Sequence, residues 1–134
     1  MCGMKITKNI KPEYVDLRGG IAKLLDDGKT KIKSVLLITS RKGSVRANHY
    51  HKKDTHYVYM IEGKMEYYEK PAKEVKNKAK MKRVILKAGD MVFTPQMTFH
   101  ATKFLEDSVF LAFATKSRQQ ADYEADTIRV ELVK

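Results

Sequence analysis

Apolar and polar positions alternate in short runs along most of this chain. That period-two pattern is the mark of strands with one buried face. The runs IKSVLLIT (32–39), HYVYMI (56–61), KMEYYE (64–69), RVILK (83–87), DMVFT (90–94), VFLAFAT (109–115) and TIRVELV (127–133) are rich in Val, Ile, Tyr, Phe and Thr. Those residue types fit a pleated, half-buried surface. Turn residues separate the runs, at Arg41-Lys42-Gly43, Gly63, Ala88-Gly89-Asp90 and 105–108. Many short strands with regular punctuation predict an all-β antiparallel sandwich or barrel. SRQQADYEAD (117–126) predicts one helical turn before the last strand. The 69–82 stretch lacks an apolar stripe and contains Pro71, so it predicts a charged excursion and not a helix. Tyr57, Tyr59, Tyr67, Tyr68, Phe93 and Phe99 fall on predicted strands and are expected mostly in the core.

At 134 residues and 43% hydrophobic composition, the chain suits one domain around one core. There is no repeat, no low-complexity linker and no apolar run long enough for a membrane helix. The opening MCGMKITKNIKPEY has no apolar core of a secretory signal, so a cytoplasmic location is expected. Cys2 is the only cysteine; it can form no intramolecular disulfide, and its terminal position offers none of the electropositive pocket a reactive thiol needs. The net charge is +11, and 70–83 alone carries six Lys and one Arg against one Glu. Charge concentrated in this way reads as a solvated loop or hairpin tip. No aromatic RNA-binding pattern or helix-turn-helix spacing accompanies it, which argues against nucleic acid as a partner.

The chemistry concentrates in four histidines. His49, His51 and His56 lie within eight positions, and His100 follows in TPQMTFHA. On a strand, His49 and His51 share a face and Tyr50 points the other way. The polar KKDT (52–55) permits a reversal that brings His56 back beside them. Three convergent neutral imidazoles suit Zn, Cu, Fe or Ni; the same residues also serve as acid/base or satisfied core groups.

The spacing of these residues and their glycines resembles the cupin superfamily. Gly43, five residues, His49-x-His51, four residues, His56, six residues and Gly63 follow the first cupin motif, with His56 where the family usually has glutamate. Gly89, five residues, Pro95, then His100 follow the second, with Met97 and Phe104 departing from its glycine and asparagine. The resemblance implies a single conserved β-barrel, the double-stranded β-helix or jelly roll. It implies N-terminal strands or an arm at 1–30 and a barrel at 31–134, with motif one at 43–63 and motif two at 89–104. It further implies neighbouring hairpins that converge His49, His51, His56 and His100 on one divalent transition metal. Replacing the carboxylate by His56 leaves the ion more positive and removes its hard oxygen, which favours Zn, Fe, Ni or Cu over Mn. A homodimer is also expected, since small cupins often pair barrels and TIRVELV would leave an edge to cover.

A second likeness lies nearer the N-terminus. Asp16-Leu17-Arg18-Gly19 and SVRANHYHKK are similar to segments of cupins that modify nucleotide-linked sugars. By that resemblance Arg18 and Arg46, with Lys53, hold the diphosphate, for which guanidinium groups are suited by their forked donors. No His–Asp dyad is legible in the sequence. Three function classes follow: a metal-assisted isomerase or epimerase of sugars or sugar nucleotides, a non-haem metal dioxygenase of a small organic molecule, and a non-catalytic ligand-binding module.

Overall fold

The computed structural model describes residues 4–78 and 80–134; Cys2 lies outside them. Twelve strands are present among the described residues: β1 (Lys5–Thr7), β2 (Tyr14–Asp16), β3 (Gly19–Ile21), β4 (Ser34–Ser40), β5 (Val45–His51), β6 (His56–Glu62), β7 (Lys64–Pro71), β8 (Lys82–Lys87), β9 (Met91–Thr94), β10 (Thr98–Phe104), β11 (Ser108–Ala114) and β12 (Thr127–Arg129). Among the described residues a single α-helix, α1 (Gln120–Asp126), precedes β12, and a short 3-10 turn spans Ala72–Glu74. The strands form two five-stranded antiparallel sheets, ordered β1-β9-β6-β11-β4 and β12-β5-β10-β7-β8, and a separate β2-β3 hairpin. This is the all-β jelly roll expected from the period-two pattern. No helix among the described residues is long and apolar enough to cross a membrane.

The two sheets face each other and divide their interior unequally. One end is apolar: Val58, Met60, Val92 and Phe110 from the first sheet meet Met65, Tyr67, Leu86 and Phe104 from the second. The rings of Phe104 and Phe110 stack at 5.6 Å. The other end is polar and holds the site. Gly63 joins β6 to β7 at φ +94°, and a Cβ there would come within 2.6 Å of Ser108 and the Asp107 carbonyl. Only glycine fits that turn.

Three expectations need correction. First, only part of the predicted aromatic core is inside the barrel. Tyr67 is, but register places Tyr57 beside Phe93 and Phe113, and Tyr59 beside Met91 and Leu111, on the outer face of the first sheet. Tyr68 and Phe99 lie on the outer face of the second sheet, in a separate cluster closed by Val130, Leu132 and Val133. Second, TIRVELV is a strand only over 127–129. Its remainder folds onto that outer cluster through Val130, Leu132 and Val133, and β12 itself is an edge strand of the second sheet. The most exposed large apolar residues are Val35 and Leu37 on β4 and Tyr14, Val15, Leu17 and Ile21 on the hairpin. Third, the basic segment is a loop only between β7 and β8, and Val75 and Met81 anchor it to the outer cluster.

Candidate functional site

β5, β6 and β10 bring all four histidines to the polar end of the barrel. Ring centroids of His49 lie 4.7 Å from those of both His51 and His100, and His56 lies 4.7 Å from His100. The motif-one histidines do not come from one hairpin. β5 pairs with β10 and β12, whereas β6 pairs with β9 and β11 in the opposite sheet. Residues 52–55 therefore cross between sheets. Asp126 holds that corner by accepting the N–H groups of Lys53 at 2.8 Å and Asp54 at 3.1 Å.

A bulge in β5 sets which side chains face inward. His49 pairs with His100 and Arg46 with Thr102, so the register slips between them. Without the slip Arg46 and His49 would point to opposite faces. The extra residue is accommodated by positive φ at Ala47 (68°) and Asn48 (57°). The Asn48 side chain ties the bulge to the chain end. Its Nδ2 donates to the Val133 carbonyl at 2.8 Å, and its Oδ1 accepts from the N–H groups of Leu132 at 3.2 Å and Val133 at 3.0 Å. Met97, which stands where the family motif has glycine, adopts a left-handed backbone at φ 55°. Its N–H donates to the His51 carbonyl at 2.7 Å and its carbonyl accepts from Ala72, which holds that conformation.

The hydrogen bonds assign tautomers. The Thr127 hydroxyl donates to the Tyr123 carbonyl at 2.6 Å, so it accepts from His51 Nδ1 at 3.2 Å. His100 Nδ1 faces the Thr98 carbonyl at 3.2 Å, which can only accept. Both rings thus carry their proton on Nδ1 and leave the Nε2 lone pair for the cavity. Carboxylates stand near two of the rings: Asp126 lies 3.7 Å from His51 Nδ1 and Asp54 lies 3.9 Å from His56 Nδ1. These approaches exceed hydrogen-bond length; the charges of both carboxylates are felt at His51.

Burial holds every one of these histidines neutral. It lowers His49 to about 2, helped by the His100 and His51 rings, and His100 to about 4. It pushes His56 well below the ordinary range and lowers His51, with Asp54 and Asp126 opposing the shift in His51. Burial also raises Asp54. A neutral imidazole with a free lone pair can bind a metal or accept a proton. Ligand atoms of His49, His51 and His100 all lie within 4.8 Å of one another, and so do those of His51, Asp54 and His56. The donor chemistry fits a divalent transition metal, with Thr98, Thr127 and Asp126 orienting the rings from behind. His56 belongs to the second set, with Asp54.

The histidines line a cavity of about 490 Å³ whose other walls include Leu36, Val58, Phe110, Arg46, Arg118 and Tyr123. Of the three cations expected to hold phosphate, Arg46 lines this cavity and donates to Ser40 Oγ at 2.6 Å and the Thr39 carbonyl at 3.0 Å. Arg18 does not line it; it sits on the β2-β3 hairpin, 87% exposed, paired with Asp16 at 2.6 Å. Lys53 lies at the exposed corner and does not line it either. Asp54, Arg118, Tyr123, Asp126 and Thr127 escaped the sequence reading. Asp54 stood inside the motif spacer; the others lie more than 60 positions from the first histidines, with no spacing to reveal them.

A family model described as Cupin matches residues 26–131. A search of curated proteins by sequence returns no match. Among solved structures, the chain is similar to a 3,4-ketoisomerase from Helicobacter canadensis, at 20% identity and TM-score 0.74, covering 94% of this chain and 90% of that one. It is similar to QdtA, a sugar 3,4-ketoisomerase from Thermoanaerobacterium thermosaccharolyticum in complex with TDP, at 20% identity and TM-score 0.73, covering 96% and 88%. It is also similar to dTDP-4-dehydrorhamnose 3,5-epimerase from Sulfolobus tokodaii, at 19% identity and TM-score 0.71, covering 89% and 73%.

Proposed function

The chain belongs to the cupin family, and from that premise we propose that it is an isomerase or epimerase of a nucleotide-linked keto sugar. One observation carries the reading: a floor of buried, neutral histidines lies in a cavity whose wall includes guanidinium groups. The likeness to sugar ketoisomerases and an epimerase supports the same choice.

Both reaction types begin by removing a proton from a carbon beside a ketone. A neutral His51, its Nδ1 proton held at Thr127 and Asp126 behind it, accepts that proton at Nε2 and becomes a cation. Asp126 and Asp54 stabilise that cation. The electron pair moves onto the carbonyl oxygen and forms an enolate. In a ketoisomerisation the hydroxyl on that carbon gives its proton to the enolate oxygen. The proton held on His51 returns to the former carbonyl carbon, and the deprotonated hydroxyl becomes the new ketone. In an epimerisation it returns to the same carbon on the other face. The apolar walls from Leu36, Val58 and Phe110 limit water and strengthen these charge interactions.

His49, His51 and His100 are the residues that would hold a divalent transition metal, with His56 and Asp54 beside them. A metal there would take the Nε2 lone pair of His51 and would supply Lewis acidity toward a carbonyl oxygen in place of proton transfer by His51. The two are alternative uses of the site, and the histidine route requires turnover to survive chelation. Arg46 lines the cavity with two of its donors held by Ser40 and the Thr39 carbonyl, and adds positive charge to that wall.

The test is to incubate the protein with dTDP-4-keto-6-deoxyglucose and read the products by NMR. The expected result is a 3-keto isomer or an inverted centre beside the ketone, abolished by His51→Ala. Recovery of unchanged substrate from this and from the other dTDP-4-keto-6-deoxyhexoses would refute the proposal.

A further inference from the structure

Three arginines line the cavity, and two are already engaged. Arg129 forks onto Glu124 at 2.6 and 2.8 Å. Arg46 spends donors on Ser40 and the Thr39 carbonyl. Arg118 differs: its guanidinium lies 3.7 Å over the Tyr123 ring, and it has no hydrogen bond or ion pair among the described residues. Stacking on an aromatic face uses the flat side of a guanidinium and leaves its in-plane N–H donors available. The stack therefore presents a pre-oriented, unfilled fork at the cavity wall.

The platform also connects that fork to the floor. The Tyr123 ring centroid is 5.5 Å from that of His51 and 6.3 Å from that of His49. The Arg118 charge is itself felt at both histidines, adding to the burial that holds them neutral. An anion gripped by Arg118 thus stands beside the histidines and not at a remote surface.

We propose that Arg118, carried on Tyr123, is the arm that takes the phosphate of the ligand and sets its reacting carbons over the histidines. This assignment rests on the sugar-nucleotide reading and gives Arg118 the role that the sequence suggested for Arg18. A phosphate or diphosphate matches the fork because two of its oxygens accept two parallel N–H bonds. Lysine would offer the charge without the fork.

The experiment is calorimetric titration with inorganic diphosphate, dTDP and thymidine at low salt. Arg118→Gln should weaken diphosphate and dTDP at least tenfold and leave thymidine unchanged. Arg118→Lys should recover only part of the loss. Tyr123→Leu should weaken the same two ligands, while Lys116→Gln, which removes an equal charge nearby, should not. Melting curves confirm that each variant is folded. Equal dTDP and diphosphate affinity in wild type and Arg118→Gln would overturn the subsite and leave the sugar-nucleotide reading standing. No binding of either ligand to wild type would overturn the subsite as well. Arg118-dependent diphosphate binding without turnover of any dTDP-keto sugar would keep the subsite and defeat the reading.

Discussion

Replacing Asn48 should expose how the site is held together. Three hydrogen bonds from its amide tie the bulge in β5 to Leu132 and Val133. A net contribution of about 1 kcal/mol each sets the combined loss at about 2–3 kcal/mol. The backbone adds a second effect. Asn48 sits at φ 57°, a conformation Asn tolerates and Gly adopts freely, but one that costs alanine about 1 kcal/mol. Asn48→Ala should therefore destabilise by about 3–4 kcal/mol and Asn48→Gly by about 2–3 kcal/mol. The difference between the variants isolates the backbone effect, because both lose the same side-chain bonds. Urea unfolding followed by circular dichroism gives both values. Because the bulge places Arg46 and His49 on one face, both variants should also lose activity beyond what their folded fraction explains. The reasoning fails if Asn48→Ala costs less than about 1 kcal/mol, or if Asn48→Gly costs more than Asn48→Ala.

Acid should destabilise the metal-free protein. The unfolded chain takes up protons on its histidines below 6.5, whereas folded His100 resists to about 4 and His49 to about 2. Their contribution is fully present above 6.5 and is lost as pH falls, by about 2 kcal/mol per histidine down to pH 5. A urea midpoint unchanged between pH 7.5 and 5 in the presence of chelator would contradict it. Phe104→Ala, which removes a ring stacked on Phe110 in the apolar end, should cost about 3–5 kcal/mol in the same assay; a loss under about 1 kcal/mol would refute the packing. Metal analysis of untagged protein should find close to one transition metal per chain, lost in His49→Ala and His100→Ala, and near-zero content from all growth media would dismiss it. Sedimentation should show a dimer broken by Leu37→Glu, because Val35 and Leu37 are 64% and 67% exposed on β4; a wild-type monomer at high micromolar concentration would reject that surface.

The legible part of this protein was local. Alternation of Val, Ile, Tyr and Phe with polar residues marks strands because a sheet has one face per parity, and seven of the barrel strands follow from it. The spacing His49-x-His51 worked for the same reason. Sheet assignment was not local. Nothing in KKDT says that β5 and β6 part into opposite sheets; that depends on Asp126, more than 70 positions away, holding the corner. Arg46 faced the cavity only because Ala47 and Asn48 absorb an extra residue. Met97 concealed a glycine-like turn behind a bulky side chain. Arg18, read from a motif, stands on an exposed hairpin, whereas Arg118 and Tyr123 had no motif to mark them. Outer faces misled most: Tyr57, Phe93 and Phe113 look like barrel core because alternation fixes parity without saying which parity is inside.

Solvent exchange tests the central claim most directly. The protein is mixed with dTDP-4-keto-6-deoxyglucose in deuterium oxide, and recovered sugar nucleotide is examined by mass spectrometry and proton NMR. Proton removal by a cavity histidine predicts enzyme-dependent deuterium at a carbon beside the ketone, even where the equilibrium hides net conversion, and its loss in His51→Ala. Deuterium content no greater than in the protein-free control would contradict the account.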